Sequence, residues 1–496
     1  MLRIINQARR NLNNTAIIAA GKSYSYQQLL DESQVFANIL LQNQADLTEI
    51  RVAFMVVAGF DYVKVQWGIW QAGGIAVPLC TTHPLASLQY VIEDTAAEII
   101  VVSPEYEAIL KDLASKEGIR LIVLSNFITK ELKTLPLIES SRRAMILYTS
   151  GTTNLPKGVV TTHDNLEAQT STLVSAWEYS EKDHILCILP LHHVHGIINI
   201  VSCTLWAGGK VEFLPNFSAE GVFNFFSNKT TENEDLVFMA VPTIYFKLIA
   251  HFEMLPVEQQ KILSKDMKRF RLMVSGSAAL PVSVMEKWEA ISGHRLLERY
   301  GMTEIGMAIS NPYNGKRKAG HIGQALSGVE IRLVDEENNL VPAGESGEIQ
   351  IKGANVFQEY WQKKEATEKT FTADGWFKSG DVAVDEDGYY KILGRSSIDI
   401  IKSGGYKISA LEIEEVLRTH SAINDCSVVG IDNEEWGELV VAAIIVKDNS
   451  LDINELNAWM RERMPSYRVP RRYKIVEELP RNAMGKVTKN DLKKLF

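Results

Sequence analysis

Residues 148–158 read YTSGTTNLPKG, which packs four aliphatic hydroxyls, two glycines and one lysine into eleven positions. Backbone N–H groups at glycine-rich turns, helped by hydroxyls, cradle phosphate oxygens, and a lysine adds positive charge. Thr149, Ser150, Gly151, Thr152, Thr153 and Lys157 are therefore candidate phosphate ligands. The stretch differs from the common G-x-x-x-x-G-K-S/T loop, because Lys157 precedes its glycine and no Ser or Thr follows at once. By itself it reads equally well as a polar surface turn.

The elements that must carry it are strands. VAFMVV, GIAVPL, EIIVVS, RLIVLS and AMILYTS are short apolar runs separated by amphipathic stretches. That alternation predicts an α/β fold with layered, largely parallel sheets. TLWAGGKVEFLP and RFRLMVSGSAAL continue the style. From about residue 320, GVEIRLVDEENNLVPAGESGEIQIKG predicts antiparallel strands with turns at Glu337-Asn338-Asn339 and Pro342-Ala343-Gly344. A polar break at Gly394-Arg395-Ser396-Ser397 separates two predicted hairpins and marks the domain boundary. The expected division is a large domain over residues 1–395 and a small α+β domain over 396–496.

With 496 residues the chain is too long for one ordinary core. Its hydrophobic fraction of 46% and charged fraction of 23% are those of a globular protein. A net charge of -9 argues against nucleic acid or an anionic membrane as partner. Cys80, Cys187, Cys203 and Cys426 form no C-x-x-C pair and read as reduced core thiols, so the expected location is cytoplasmic. No apolar run approaches membrane-spanning length. The basic start MLRIINQARRNLNN reads as a plain N-terminal helix rather than a transit peptide.

Four further motifs keep the first one company. They are ERYGMTE at 298–304, GWFKSGDVAVDEDGYYKILGR at 375–395, KSGGYKIS at 402–409 and LPRNAMGKV at 479–487. In this order and spacing they resemble the core motifs of the adenylate-forming superfamily, which holds acyl-CoA synthetases, luciferases and adenylation domains. The resemblance covers nearly the whole chain. Asn154 departs from the usual glycine, but asparagine tolerates left-handed backbone.

The resemblance implies ATP, magnesium and coenzyme A as the reaction's small molecules. A carboxylate attacks the α-phosphorus of ATP, pyrophosphate leaves, and a thiol then displaces AMP. Neither step needs an enzyme nucleophile; both need charge stabilisation and alignment. In this frame Glu304 binds magnesium, Thr303 contacts the α-phosphate and Tyr300 stacks on adenine. Asp381 takes the ribose hydroxyls with help from Arg395. Lys486 stabilises the α-phosphoryl charge. Gly404, Gly405 and Tyr406 line the thiol tunnel after the small domain rotates about Ser396 and Ser397. Aspartate or lysine is more usual at that hinge. Standing alone, Asp381 is a turn residue, Lys486 one lysine among many, and Gly404-Gly405 a plain hairpin turn.

The resemblance puts His193 of PLHHVHG at the gate of the acyl site, and Ser275, Gly276 and Ser277 of VSGSAAL along its wall. No carrier-protein domain follows Phe496, so free coenzyme A is the expected acceptor. Relatives that take fatty or aromatic acids usually have a neutral residue where this chain has Arg299. An arginine there suits a second carboxylate, and the motifs together resemble malonyl-CoA synthetases most. Three alternatives stay open: Arg299 paired with Glu298 and a monocarboxylate substrate; a medium- or long-chain fatty acyl-CoA synthetase; and a non-catalytic binding protein of the same fold.

Overall fold

The computed structural model describes residues 2–125, 133–149, 156–214, 216–228, 234–447, 451–481 and 486–496. Two sheets form the bulk of the molecule. The first runs in the order Glu359–Tyr360, Lys157–Thr162, Arg143–Thr149, Ile75–Pro78, Arg51–Met55, Ile99–Val102, Arg120–Val123. It is parallel from Arg143–Thr149 onward and antiparallel at the other edge. Ile99–Val102 is buried at every residue, as expected where helices cover both faces of a parallel sheet.

The second sheet has nine strands. Thr15–Ala19, Lys210–Phe213, Asp183–Cys187, Asp235–Ala240, Phe270–Ser275 and Leu297–Met302 are mutually parallel neighbours. Lys22–Ser25 closes one edge, and Gly306–Ser310 and Gln324–Ala325 the other, all antiparallel. Helix starts follow local chemistry. Ser25 and Gln28 form a reciprocal capping box at Tyr26–Leu41, and Thr162 with Asn165 does the same for His163–Ala176. The N-terminal stretch is helical over Arg3–Ala8.

The barrel-like part is a four-stranded antiparallel sheet of Val329–Val334, Ser346–Gly353, Phe377–Glu386 and Tyr389–Arg395. Beyond residue 400 a five-stranded sheet carries helices Ala410–Arg418 and Ile453–Arg461. Its core of Ile401, Ile408, Ile413, Leu417, Val428, Leu456 and Met460 comes entirely from this part of the chain. All four cysteines are free and buried. Among the described residues no helix is long and apolar enough to cross a membrane.

One element has no precedent in the sequence reading. Residues His195–Ser202 form a π-helix, and every one of them is buried. Such wide turns are rare and concentrate at functional sites.

Candidate active site

The strands Arg143–Thr149 and Lys157–Thr162 pair antiparallel, with Thr149 opposite Lys157. The hydroxyl-rich stretch therefore lies in sequence between two paired antiparallel strands. Ser150, Gly151, Thr152 and Thr153 lie outside the described residues. Thr149 Oγ1 donates to the carbonyl of Lys157 at 3.5 Å. Lys157 Nζ sits 4.9 Å from the ring centre of Tyr360. The Tyr360 hydroxyl donates to Glu304 Oε1 at 2.8 Å.

Glu304 sits in the turn after Leu297–Met302, beside half-buried Thr303. Burial pushes its carboxyl up, while the Tyr360 hydrogen bond and the charges of Arg395 and Lys157 pull it back. The turn is held from the other sheet, because Phe357 N donates to the Glu304 carbonyl at 2.7 Å. Asp381 and Arg395 face each other across an antiparallel register, and Arg395 Nε donates to Asp381 Oδ1 at 3.0 Å. Tyr300 donates its hydroxyl to Asp381 Oδ2 at 2.6 Å. Tyr300, Glu304, Asp381, Arg395 and Lys157 thus form one connected group.

Lys486 reaches this group from the C-terminal region. Desolvation by the surrounding protein lowers the pKa of its ammonium first, and the charges of Arg395 and Arg299 add to the effect while Asp381 opposes it, although the residue keeps an exposed surface. His193 feels the same lysine: burial, then Lys486 and His83, bring its imidazole down to about 4. His193 is consequently neutral at pH 7, with its ring 4.1 Å from that of His192.

The acyl-site candidates gather at the carboxyl ends of parallel strands Phe270–Ser275 and Leu297–Met302, where open α/β sheets bind ligands. Ser277 has a left-handed backbone (φ 70°) and its hydroxyl bridges two groups. It lies 3.3 Å from His195 Nδ1 and accepts from Arg299 Nη2 at 3.4 Å. A Cβ on Gly276 would stand 2.5 Å from Arg299 Cζ, so glycine is what leaves space for the guanidinium.

Arg299 itself is 3% exposed. Its Nε has no hydrogen-bond partner, and among the described residues no carboxylate lies within ion-pair distance. Burial pulls its guanidinium down to about 9. The alternative pairing with Glu298 is not formed, since successive strand residues face opposite ways. Glu298 instead accepts from Leu280 N at 3.3 Å, and burial raises its carboxyl to about 8.

Gly404 and Gly405 turn the hairpin between Ile400–Ser403 and Tyr406–Ser409 with φ 56° and 82°. A Cβ on Gly404 would meet the Trp436 ring at 3.0 Å, and one on Gly405 would meet nothing within 4 Å. Tyr406 is exposed and stacks on Tyr467 at 4.3 Å. Flanking Lys402 and Lys407 pair with Glu336 at 3.4 and 2.9 Å. These contacts run to Trp436, Tyr467 and Glu336, away from the group around Glu304 and Arg299. Ser396 and Ser397 form the connecting turn, where Ser396 N donates to the Gly380 carbonyl at 2.9 Å.

Among the described residues no three His, Cys, Asp or Glu side chains gather as a metal cage. A lone carboxylate such as Glu304 fits magnesium, which keeps waters and takes substrate phosphates as its other ligands. Sequence reasoning missed Tyr360 and His195. Tyr360 joins Glu304 across 56 residues, a pairing with no local signal.

The profile of the AMP-binding enzyme family matches residues 4–361, and that of the AMP-binding enzyme C-terminal domain matches 412–486. Malonate–CoA ligase ACSF3, mitochondrial, of Homo sapiens is 44% identical over 483 residues, covering 91% of this chain and 84% of that protein. Malonate–CoA ligase of Arabidopsis thaliana is 40% identical over 533 residues, covering 99% and 87%. The crystal structure of ATP-bound MatB from Rhodopseudomonas palustris superposes with a TM-score of 0.88 at 31% identity, covering 100% of this chain and 98% of that one.

Proposed function

The chain belongs to the AMP-binding enzyme family, and from that premise we propose that it makes malonyl-CoA from malonate, ATP and coenzyme A. A malonate oxygen attacks the α-phosphorus, the bond to the bridging oxygen breaks, and pyrophosphate leaves. The thiol of coenzyme A then attacks the acyl carbon, giving up its proton, and AMP departs. The observation that carries the choice of acid is Arg299: a buried guanidinium with no carboxylate partner, beside the wall formed by Ser275, Gly276 and Ser277. An unpaired buried charge is strongly unfavourable, and the distal carboxylate of malonate offers it a bidentate partner.

Within this reading each residue has a task. Thr149, Ser150, Gly151, Thr152, Thr153 and Lys157 hold the β- and γ-phosphates. Thr303 contacts the α-phosphate. Glu304 holds magnesium, which when bound neutralises charge on the phosphate oxygens. Tyr300 lies against adenine. Asp381, oriented by Arg395, accepts from the ribose hydroxyls. Lys486 stabilises charge building on the α-phosphoryl group, and neutral His193 stands at the acyl gate.

Residues 1–395 form the large domain and 396–496 the small one. After adenylation the small domain turns about Ser396 and Ser397 and brings Gly404, Gly405 and Tyr406 to the thiol path. The electrostatic influence of Arg395, Arg299 and Asp381 on Lys486 supports the adenylating arrangement as the one described here. The reading needs no nucleic acid, membrane span or carrier-protein partner. It places the enzyme in the cytoplasm, although the ACSF3 relatives are mitochondrial, and fractionation of cells decides between the two.

The test is pyrophosphate release with ATP and a panel of acids. Malonate should exceed acetate and octanoate. Preference for octanoate would favour a fatty acyl-CoA synthetase, and no release with any acid a binding protein.

A further inference from the structure

The loop 276–281 is pinned at three points. Ser277 joins Arg299 and His195, and Leu280 N donates to Glu298. The third pin comes from far along the chain: Val282 N donates to Glu415 Oε1 at 2.9 Å. Val282 opens the eleven-residue helix Val282–Ser292. That helix begins at Pro281 with no side-chain cap of its own and no acidic residue in its first turn. Exposed N–H groups at such an end carry partial positive charge and favour an anionic acceptor. Glu415 supplies it from helix Ala410–Arg418 of the C-terminal region. The C-terminal region also touches the rest through Lys391–Glu412 at 2.9 Å, Ser409 Oγ to the Leu393 carbonyl at 2.5 Å, and the two lysines on Glu336. Those contacts attach it to the four-stranded sheet. The Glu415 bond reaches the segment continuing from the acyl wall.

We propose that Glu415 is a positioning residue for adenylation, capping the helix that continues the acyl loop and so tying the reach of Lys486 to the state of that loop. The inference rests on the rotating-domain reading above. When the small domain turns, Val282 N loses its acceptor, so the bond weights the adenylating arrangement only. The acyl loop and Lys486 are thereby coupled through two hydrogen bonds, Arg299 to Ser277 and Val282 to Glu415, joined by the loop and continued by the small domain that carries Lys486. A filled acyl pocket that orders the loop also presents Val282 N to its cap. Glu415 touches neither acid nor nucleotide in this scheme and acts through Lys486.

An N-cap bond shifts an equilibrium about fivefold to tenfold. The experiment compares the full-length parent with Glu415→Ala and Glu415→Gln. Adenylation is read as malonate-dependent pyrophosphate release without coenzyme A, and thioester formation from supplied malonyl-adenylate. Glu415→Ala should lower kcat for adenylation about fivefold to tenfold, leave KM for ATP near the parent's, and leave thioester formation unchanged. Glu415→Gln keeps an acceptor oxygen and should recover most of the loss. Equal falls in both half-reactions, or an alanine variant within twofold of the parent, would overturn the proposal. Lys486→Ala run beside them separates the underlying reading. If that variant also loses both half-reactions equally, the rotating domain fails and takes the role of Glu415 with it.

Discussion

Replacing Arg299 with glutamine removes a buried cation whose guanidinium, among the described residues, hydrogen-bonds to Ser277 Oγ at 3.4 Å. In the free enzyme that change should cost little. The parent already carries the penalty of an unpaired guanidinium, which burial has pulled down to about 9. A neutral amide in the space beside Gly276 is easier to bury, so Tm should stay level or rise. With substrate the balance reverses. A hydrogen bond to a charged group is worth about 1.5–3 kcal/mol, which is about 10–150-fold in kcat/KM. The assay is pyrophosphate release with malonate, acetate and octanoate in both proteins, with Tm measured with and without malonate. Arg299→Gln should lose at least about tenfold on malonate, gain relatively on the two monocarboxylates, and lose the thermal shift that malonate gives the parent. Malonate activity within a few-fold of the parent, or a large fall in Tm without ligand, would make Arg299 structural and remove the argument for a diacid.

Lys486→Ala should cut adenylation by about 10²–10³ and still turn supplied malonyl-adenylate and coenzyme A into thioester; equal losses would contradict the division of labour. Gly405→Leu should do the reverse. Its Cβ meets nothing within 4 Å, so the strain of a leucine at φ 82° stays within this turn and should lower Tm more than adenylation, while the side chain fills the thiol path; an unimpaired thioester step would refute this. Acid should weaken the fold, because burial holds His163 and His192 at about 3 and His193 at about 4, against an ordinary 6.5. Below pH 6.5 the unfolded chain binds protons that the folded one does not. Stability is therefore full above pH 6.5 and falls toward pH 4, by up to about 1.4 kcal/mol per pH unit for each histidine. Urea midpoints between pH 7 and 5 measure it, His163→Gln should flatten the slope, and a flat parent profile would count against buried neutral imidazoles.

What the sequence made legible was local. The strands Ile99–Val102 and Arg143–Thr149, the two hairpins flanking Ser396, and helices Ala410–Arg418 and Ile453–Arg461 follow from apolar period and turn residues within one window. Glu304, Asp381, Arg395 and Lys486 come as candidates only from the resemblance that their motifs carry; alone, Lys486 is one lysine among many. What stayed hidden was relational. Nothing around Tyr360 announces that its hydroxyl meets Glu304, and nothing around Gly276 announces that it makes room for Arg299. The π-helix escaped for a different reason. In an eight-residue run buried on all sides, a period of 3.6 and a wider one leave the same pattern.

The turn at Glu304 belongs to the nine-stranded sheet, whereas Phe357 and Tyr360, which fasten it, lead into the edge strand of the seven-stranded sheet. The site is therefore a seam, and its parts do not exist until both sheets have formed and docked. One hydrophobic cluster spans both sheets, with Val52 and Ile99 of the first in the same core as Ile185 and Val274 of the second, so the sheets part only by opening that shared core. Glu304 is therefore fixed only when the core that the two sheets share has closed. Nucleotide binding then becomes a reporter of that docking. A substitution that merely loosens the docking of the sheets would look, in a steady-state assay, like a defect in handling ATP.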